Sequence, residues 1–215
     1  RDTLTAPAIL LVGGDPTEQA PGTAWNIRTA VRNNRTRLYV ANSAEIKLRR
    51  QAKAFLHLAP FGYDALASYL AGDDAAAASA AADANALSAF RDAVKGEQNL
   101  LVLIGSELRG DALKKLIDFS ITLPDAKLAL LGDYVNSRGA ADMGLLPDLL
   151  PGYTPVANPG AFAEHGAPTA PGLDMLEIFE AAGRGELSAL SVVGAPPLAR
   201  YSVEPAALKD TFLVV

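Results

Sequence analysis

The sequence predicts an α/β fold, doubly wound, with mostly parallel sheets in two subdomains. Three observations lead there. Short apolar runs recur at AILLV (8–12), RLYVA (37–41), AFLHL (54–58), LLVLI (100–104), KLALL (127–131), ALSVV (189–193) and TFLVV (211–215). The runs are continuous rather than alternating, which suits strands covered on both faces. Helical patterns lie between them, and strand alternating with helix builds right-handed βαβ units.

The first run ends in LLVGGDP (10–16), where glycine lets the backbone turn sharply after a parallel strand. Ala24, Ile27, Ala30 and Val31 then make one apolar helix face, with Trp25 beside it and Arg28, Arg32 and Arg35 on another side. After the second run, Asn42 followed by Glu45 predicts a capping box. The helix it would open carries Ala44, Leu48, Ala52 and Phe55 at i, i+4 spacing. The third run places His57 on one face of a strand. The alanine-rich tract at 71–90 has high helix propensity and few large side chains, so it predicts a surface helix joining two halves. The expected division is therefore 1–72 for the first α/β subdomain, 73–93 for the connecting Ala-rich helix and 94–215 for the second α/β subdomain.

In the second half, VLIGSEL (102–108) and SVVGAPP (191–197) repeat the strand-end glycine. Gly183-Arg184-Gly185 precedes a strand and is read as a helix cap. The stretch NSRGAADMGLLPDLLPGY (136–153) is irregular and holds no His or catalytic pair. Its Met143, Leu145, Leu146, Leu149, Leu150 and Tyr153 can fill a cleft or pack on a neighbouring domain, with prolines fixing their direction; an active-site lid is the competing reading.

Composition narrows the chemistry. The 215 residues include 0 Cys, which removes thiolate catalysis, iron–sulfur ligation and disulfides together. The two histidines, His57 and His165, lack a partner ligand at i, i+4 spacing, and His165 sits in a Gly/Pro/Ala-rich loop. No apolar run approaches the roughly 20 residues of a bilayer span. The net charge of -5 gives no general pull toward nucleic acid. Locally, Arg28, Arg32, Arg35, Arg37, Lys47, Arg49, Arg50 and Lys53 face the single acid Glu45, either as a docking face for an acidic partner or as ordinary solvated helix faces. The chain starts at Arg1 and closes on the β-branched TFLVV, and on that ground it is read as a piece of a longer polypeptide.

Ligands of open α/β sheets bind at the carboxyl ends of the strands. The three glycine corners therefore make Gly13, Gly14, Gly105 and Gly194 candidate ligand-binding residues. No G-x-G-x-x-G follows a strand, and neither G-x-x-x-x-G-K-[ST] nor G-x-S-x-G is present. Asp15 and Glu18 near the first corner are a candidate acidic pair without an evident base. No catalytic and no metal-ligating residue is assigned.

Taken together, these motifs resemble the molybdopterin oxidoreductase superfamily, and within it the large iron–sulfur subunit of bacterial respiratory complex I. The stretch AILLVGGDPTEQAPGTAWNIRTAVRNNRTRLYVANSAEIKLRRQA is similar to that subunit's strand, Gly-x-(Asn/Asp)-Pro turn, Trp-x-Ile-Arg helix and second strand ending in Asn-Ser. NSRGAADMGLLPDLLPGY and ALSVVGAPPLARYS carry the resemblance to the chain's end. It implies two Rossmann-like subdomains, and it implies that residues 136–153 lie on the cofactor side. Members that hold a guanine-dinucleotide molybdopterin read Gly-x-Asn-Pro at the first turn and Asp-Pro-Arg after the second strand. Here Gly14-Asp15-Pro16 and Ala41-Asn42-Ser43 stand there, and an aspartate beside a diphosphate opposes like charges. The resemblance thus implies Gly13, Gly14, Asp15, Asn42, Gly105 and Gly194 as cofactor-binding residues, and these departures make the set vestigial.

Three readings follow. The first is a structural domain of the complex I subunit that contributes to electron transfer from NADH to quinone through assembly. It implies iron–sulfur clusters upstream in the parent subunit and no molybdopterin here. Its partners would be other domains of that subunit and other peripheral-arm subunits, on the cytoplasmic side of the bacterial inner membrane without direct insertion. The second is a bis-molybdopterin-guanine-dinucleotide-binding domain of a molybdenum oxidoreductase. The third is a free-standing nucleotide-binding module.

Overall fold

The computed structural model describes residues 2–132, 134, 136–194 and 204–215. The chain divides into two compact units, Arg1–Val135 and Asn136–Val215. In the first unit the order is α1 (Asp2–Thr5), β1 (Ala8–Val12), α2 (Pro16–Gln19), α3 (Pro21–Asn34), β2 (Arg37–Asn42), β3 (Ala54–His57), α4 (Tyr63–Ala71), α5 (Ala77–Ala80), α6 (Ala84–Lys95), β4 (Leu100–Ile104), α7 (Gly110–Ile121) and β5 (Lys127–Leu130). The five strands form one sheet in the order β3-β2-β1-β4-β5, parallel throughout.

Burial explains the continuous apolar runs. Every residue of β1 and β4 is buried, because side chains alternate between two covered faces. Ala8, Leu10 and Val12 point into one cluster with Leu66 of α4, Phe90 of α6 and Leu116 of α7. Ile9 and Leu11 point the other way, onto Ile27 of α3 and Leu48. Each fully buried leucine contributes about 2 kcal/mol through area removed from water. The crossover after β1 thus covers one face and the crossovers around β4 the other, which makes the fold doubly wound. Winding direction reverses between β1 and β4, the topological switch point of such sheets.

Two sequence expectations change here. The division at 72 and 94 runs through one sheet, since Ala8 pairs with both Arg37 and Leu100. The alanine-rich tract is not a single surface helix. It breaks into a 3₁₀ turn at Asp74–Ala76, then α5 and α6, and it buries Ala80, Ala81, Leu87 and Phe90. Asp83 caps α6 by accepting from the Asn85 and Ala86 amides, so the helix starts where its apolar face begins.

A third correction concerns residues 42–55. The predicted helix is only a 3₁₀ segment, Lys47–Gln51, and Phe55 belongs to β3. Asn42 makes no capping box: its Oδ1 accepts from the Ala44 amide at 2.9 Å, two residues on. An Asx-type bond of this kind competes with helix initiation.

The second unit contains α8 (Ser137–Asp142), β6 (Leu149–Leu150), β7 (Thr154–Pro155), α9 (Met175–Gly183), β8 (Ala189–Ser191) and β9 (Phe212–Val214). β6 and β7 form an antiparallel pair, β8 and β9 a parallel one. Phe179, Ala182 and Leu208 make its small core, packed on Leu187 and Leu190. Asp174 and Glu177 close a capping box at the start of α9, and Gly185 (φ 74°) follows its end, as the Gly-Arg-Gly reading expected. In the 136–153 stretch, a Cβ on Gly144 would fall 2.8 Å from the Pro151 nitrogen, so the turn requires glycine. Met143, Leu145, Leu146 and Tyr153 are exposed, and Leu149 and Leu150 are half-buried.

At the amino edge of the sheet, a charged lock joins strand β2 to the turn after α6. Arg37 donates Nε and Nη2 to the two Glu97 carboxylate oxygens at 2.7 and 2.6 Å, and the Tyr39 hydroxyl donates to Oε1 at 2.6 Å. Glu97 is only 6% exposed. The Arg37 guanidinium holds the Glu97 carboxyl below its ordinary range, against the opposing push of burial, and Tyr39 adds to the lowering.

A depressed carboxyl stabilises the fold above its unfolded value, about pH 4.3, and that contribution is lost as pH falls through the lower folded value. Glu97→Gln is expected to cost about 2 kcal/mol in urea unfolding at pH 7. The variant's stability should also fall less than the parent's on acidification below about pH 4.

Candidate functional site

The crevice at the switch point is built from backbone first. Gly13 (φ 69°) and Gly14 (φ 67°) occupy the left-handed region that favours glycine, turning the chain off the end of β1. The Gly13 amide donates to Ala41 O at 3.0 Å, and the Gly105 amide donates to Val12 O at 2.8 Å. The ladders on both sides of β1 thus continue to its last residue. At Gly105 the two turns meet: a Cβ there would fall on the Gly14 nitrogen and, at 2.6 Å, on the Gly13 carbonyl carbon.

The polar groups of the crevice close on this turn. Glu107 Oε2 accepts from the Gly14 amide at 2.8 Å, while Asn42 Nδ2 donates to the Gly14 carbonyl at 2.8 Å. Asn42 is 3% exposed, and the Tyr63 hydroxyl also donates to its Oδ1 at 3.2 Å. Asp15 turns away as the N-cap of α2, accepting from the Thr17 amide at 2.9 Å and the Thr17 hydroxyl at 2.6 Å. Beside these groups opens a cavity of about 570 Å³, with Ser43, Tyr63, Asp64 and Glu107 in its wall and exposed Phe61 at its rim. The geometry suits holding a turn rigid; no nucleophile–base pair is present among the wall residues.

Of the six candidate residues, Gly13, Gly14, Asp15, Asn42 and Gly105 gather at this one corner. Gly194 (φ 95°) belongs to the second unit, and Ala195, Pro196 and Pro197 of its turn lie outside the described residues. Of the candidate acidic pair, Glu18 salt-bridges Lys47 at 2.7 Å and Asp15 caps α2. His57 and His165 are exposed, and no metal-ligating group of His, Asp or Glu occurs among the described residues. Glu107 was missed by sequence reasoning. Its signal was position alone, two residues beyond the glycine of the second corner.

No protein-family model matches the chain. Among curated proteins it is 30% identical to the second G-type subunit of NADH-quinone oxidoreductase from Rhizobium meliloti, over 90% of this chain and 26% of the relative. It is 32% identical to the G-type subunit of NADH-quinone oxidoreductase from Streptomyces coelicolor, over 88% and 22%. The alpha subunit of the NADPH-Fe(3+) oxidoreductase of Geobacter sulfurreducens is 29% identical over 91% and 28%. The chain spans about a quarter of the length of the relatives it matches.

Two substitutions probe the corner. Gly105→Ala should destabilise the chain by about 3 kcal/mol, since its Cβ would meet the Gly13–Gly14 backbone, which cannot swing aside, as well as the Glu107 carboxylate. Asn42→Ala should cost about 2 kcal/mol by leaving the buried ends of its hydrogen bonds unmet. Chemical denaturation of each variant checks both, and parental stability for either would contradict the geometry.

Proposed function

We propose, on the premise that this chain is homologous over about nine-tenths of its length to a segment of the G-type subunit of NADH-quinone oxidoreductase, that it is the molybdopterin-oxidoreductase-like domain of such a subunit. It contributes to electron transfer from NADH to quinone through assembly and does no chemistry of its own. Its partners are the remaining domains of the parent subunit and other subunits of the peripheral arm. The parent sits at the cytoplasmic face of the bacterial inner membrane; no helix among the described residues is long and apolar enough to cross a bilayer. Iron–sulfur clusters belong elsewhere in the parent subunit, since the chain has 0 Cys to ligate one.

The observation that carries this reading is the Glu107 carboxylate on the Gly14 amide. A glycine corner at a switch point is where a dinucleotide phosphate would approach backbone amides. Here the chain's own anion takes that amide, and Asn42 takes the neighbouring carbonyl. A diphosphate entering the crevice would also meet Asp64 in the same wall, so like charges oppose it. The corner is self-satisfied.

The test is a metal and pterin determination on the intact protein purified from its host. Molybdenum far below one per subunit is expected, together with unchanged melting of this chain on addition of GTP or NADH. Stoichiometric molybdenum and pterin would replace the scaffold reading with a cofactor-binding one.

A further inference from the structure

Helix α3 buries Ala24, Ile27 and Ala30 against the sheet and presents its other side to solvent. On that side Trp25, the sole tryptophan of the sequence, is 63% exposed. Arg28 and Arg32 follow at i+3 and i+7, which places both within about 60° of Trp25 around the helix axis and spreads the stripe over about 10 Å. Arg35 continues it at the helix C-cap. All three arginines are exposed, and none forms an ion pair among the described residues.

Of the rest of the basic segment, Arg50 is exposed and forms no ion pair among the described residues, and the other four have partners within the chain. Arg37 binds Glu97, Lys47 binds Glu18, Arg49 binds Glu45, and Lys53 donates to the Tyr39 hydroxyl at 3.1 Å. Two acids of the preceding turn and helix are also engaged, Glu18 by Lys47 and Asp15 by Thr17. What remains is an unneutralised row of guanidinium groups flanking an exposed indole. Trp and Arg are the residue types that dominate binding energy at protein interfaces, and a positive stripe selects a negative partner face. The chain as a whole is acidic at -5, so this face is a local exception.

We propose that the Trp25–Arg28–Arg32–Arg35 stripe is a docking surface for an acidic protein face, whose carboxylates meet the guanidinium groups while an apolar recess receives the indole. This rests on the reading that the chain works through assembly, and it names the surface and the partner's chemistry.

The test uses the intact protein in its host. With Arg28→Glu and Arg32→Glu together, the subunit recovered in the NADH-oxidising assembly at low salt should fall roughly tenfold. Arg28→Lys and Arg32→Lys should retain most of it, and Trp25→Ala should weaken it. Charge reversal at the exposed Lys95 and Lys114 serves as control and should change nothing. A photo-crosslinking residue at position 25 of the otherwise unaltered protein should capture an Asp/Glu-rich protein segment, a readout independent of whether the reversed variant folds. Unchanged recovery of a folded reversed variant would overturn the proposal, as would equal loss in the control, an association removed by nuclease, or a crosslinked segment without carboxylates. Molybdenum measured in the same preparations keeps the two questions apart: a loaded cofactor sinks the scaffold reading and leaves the docking result standing.

Discussion

Strands β1 and β4 lie side by side in register, and the rest of the first unit is arranged around that contact. The two strands belong to opposite winding directions of the sheet, so their chains must diverge immediately beyond Val12 and Ile104. Divergence at a pair already in ladder contact leaves no room for a Cβ at Gly105 and demands left-handed backbone at Gly13 and Gly14. The close approach is therefore a condition of the topology before it is anything to do with a ligand.

The same geometry creates a polar demand. Turning the chain at Gly14 takes its amide and carbonyl out of the ladder while the residue stays buried. An unpaired buried amide costs about 1 to 3 kcal/mol, so some group must meet it. Glu107 and Asn42 meet it from the ends of the two flanking strands, and Tyr63 fixes Asn42 in turn. A fold that binds a phosphate there lets the ligand supply the acceptor. In this chain the acceptor on the Gly14 amide is the Glu107 carboxylate.

Charge in the basic segment follows a similar division of labour. Arg37 is drawn inward because Glu97 is nearly buried and would otherwise be an unpaired charge. Lys47 and Arg49 close on exposed acids, where ion pairs contribute little in water. The arginines of α3 project from a helix whose apolar face is already used, and among the described residues they form no ion pair. The segment that looks uniform in sequence thus splits into a lock, two surface pairs and an open stripe, with Arg50 exposed outside all three.

The sequence by itself determined the strands of the sheet, the glycine corners and the two-sided cover. These depend on local composition: continuous apolar runs, left-handed backbone and helical periodicity are written in neighbouring residues. It also placed Gly13, Gly14, Asp15, Asn42 and Gly105 near one edge. Only the tertiary structure decided that residues 1–72 share a sheet with 100–130, that Asn42 holds Gly14 instead of opening a helix, and that Glu107 sits on the Gly14 amide. The physical reason is separation along the chain. Glu107 lies 93 residues from its partner, and Glu97 lies 60 from Arg37. Pairing over such distances is fixed by how strands are ordered in the sheet, and that order is a property of packing that no local stretch contains.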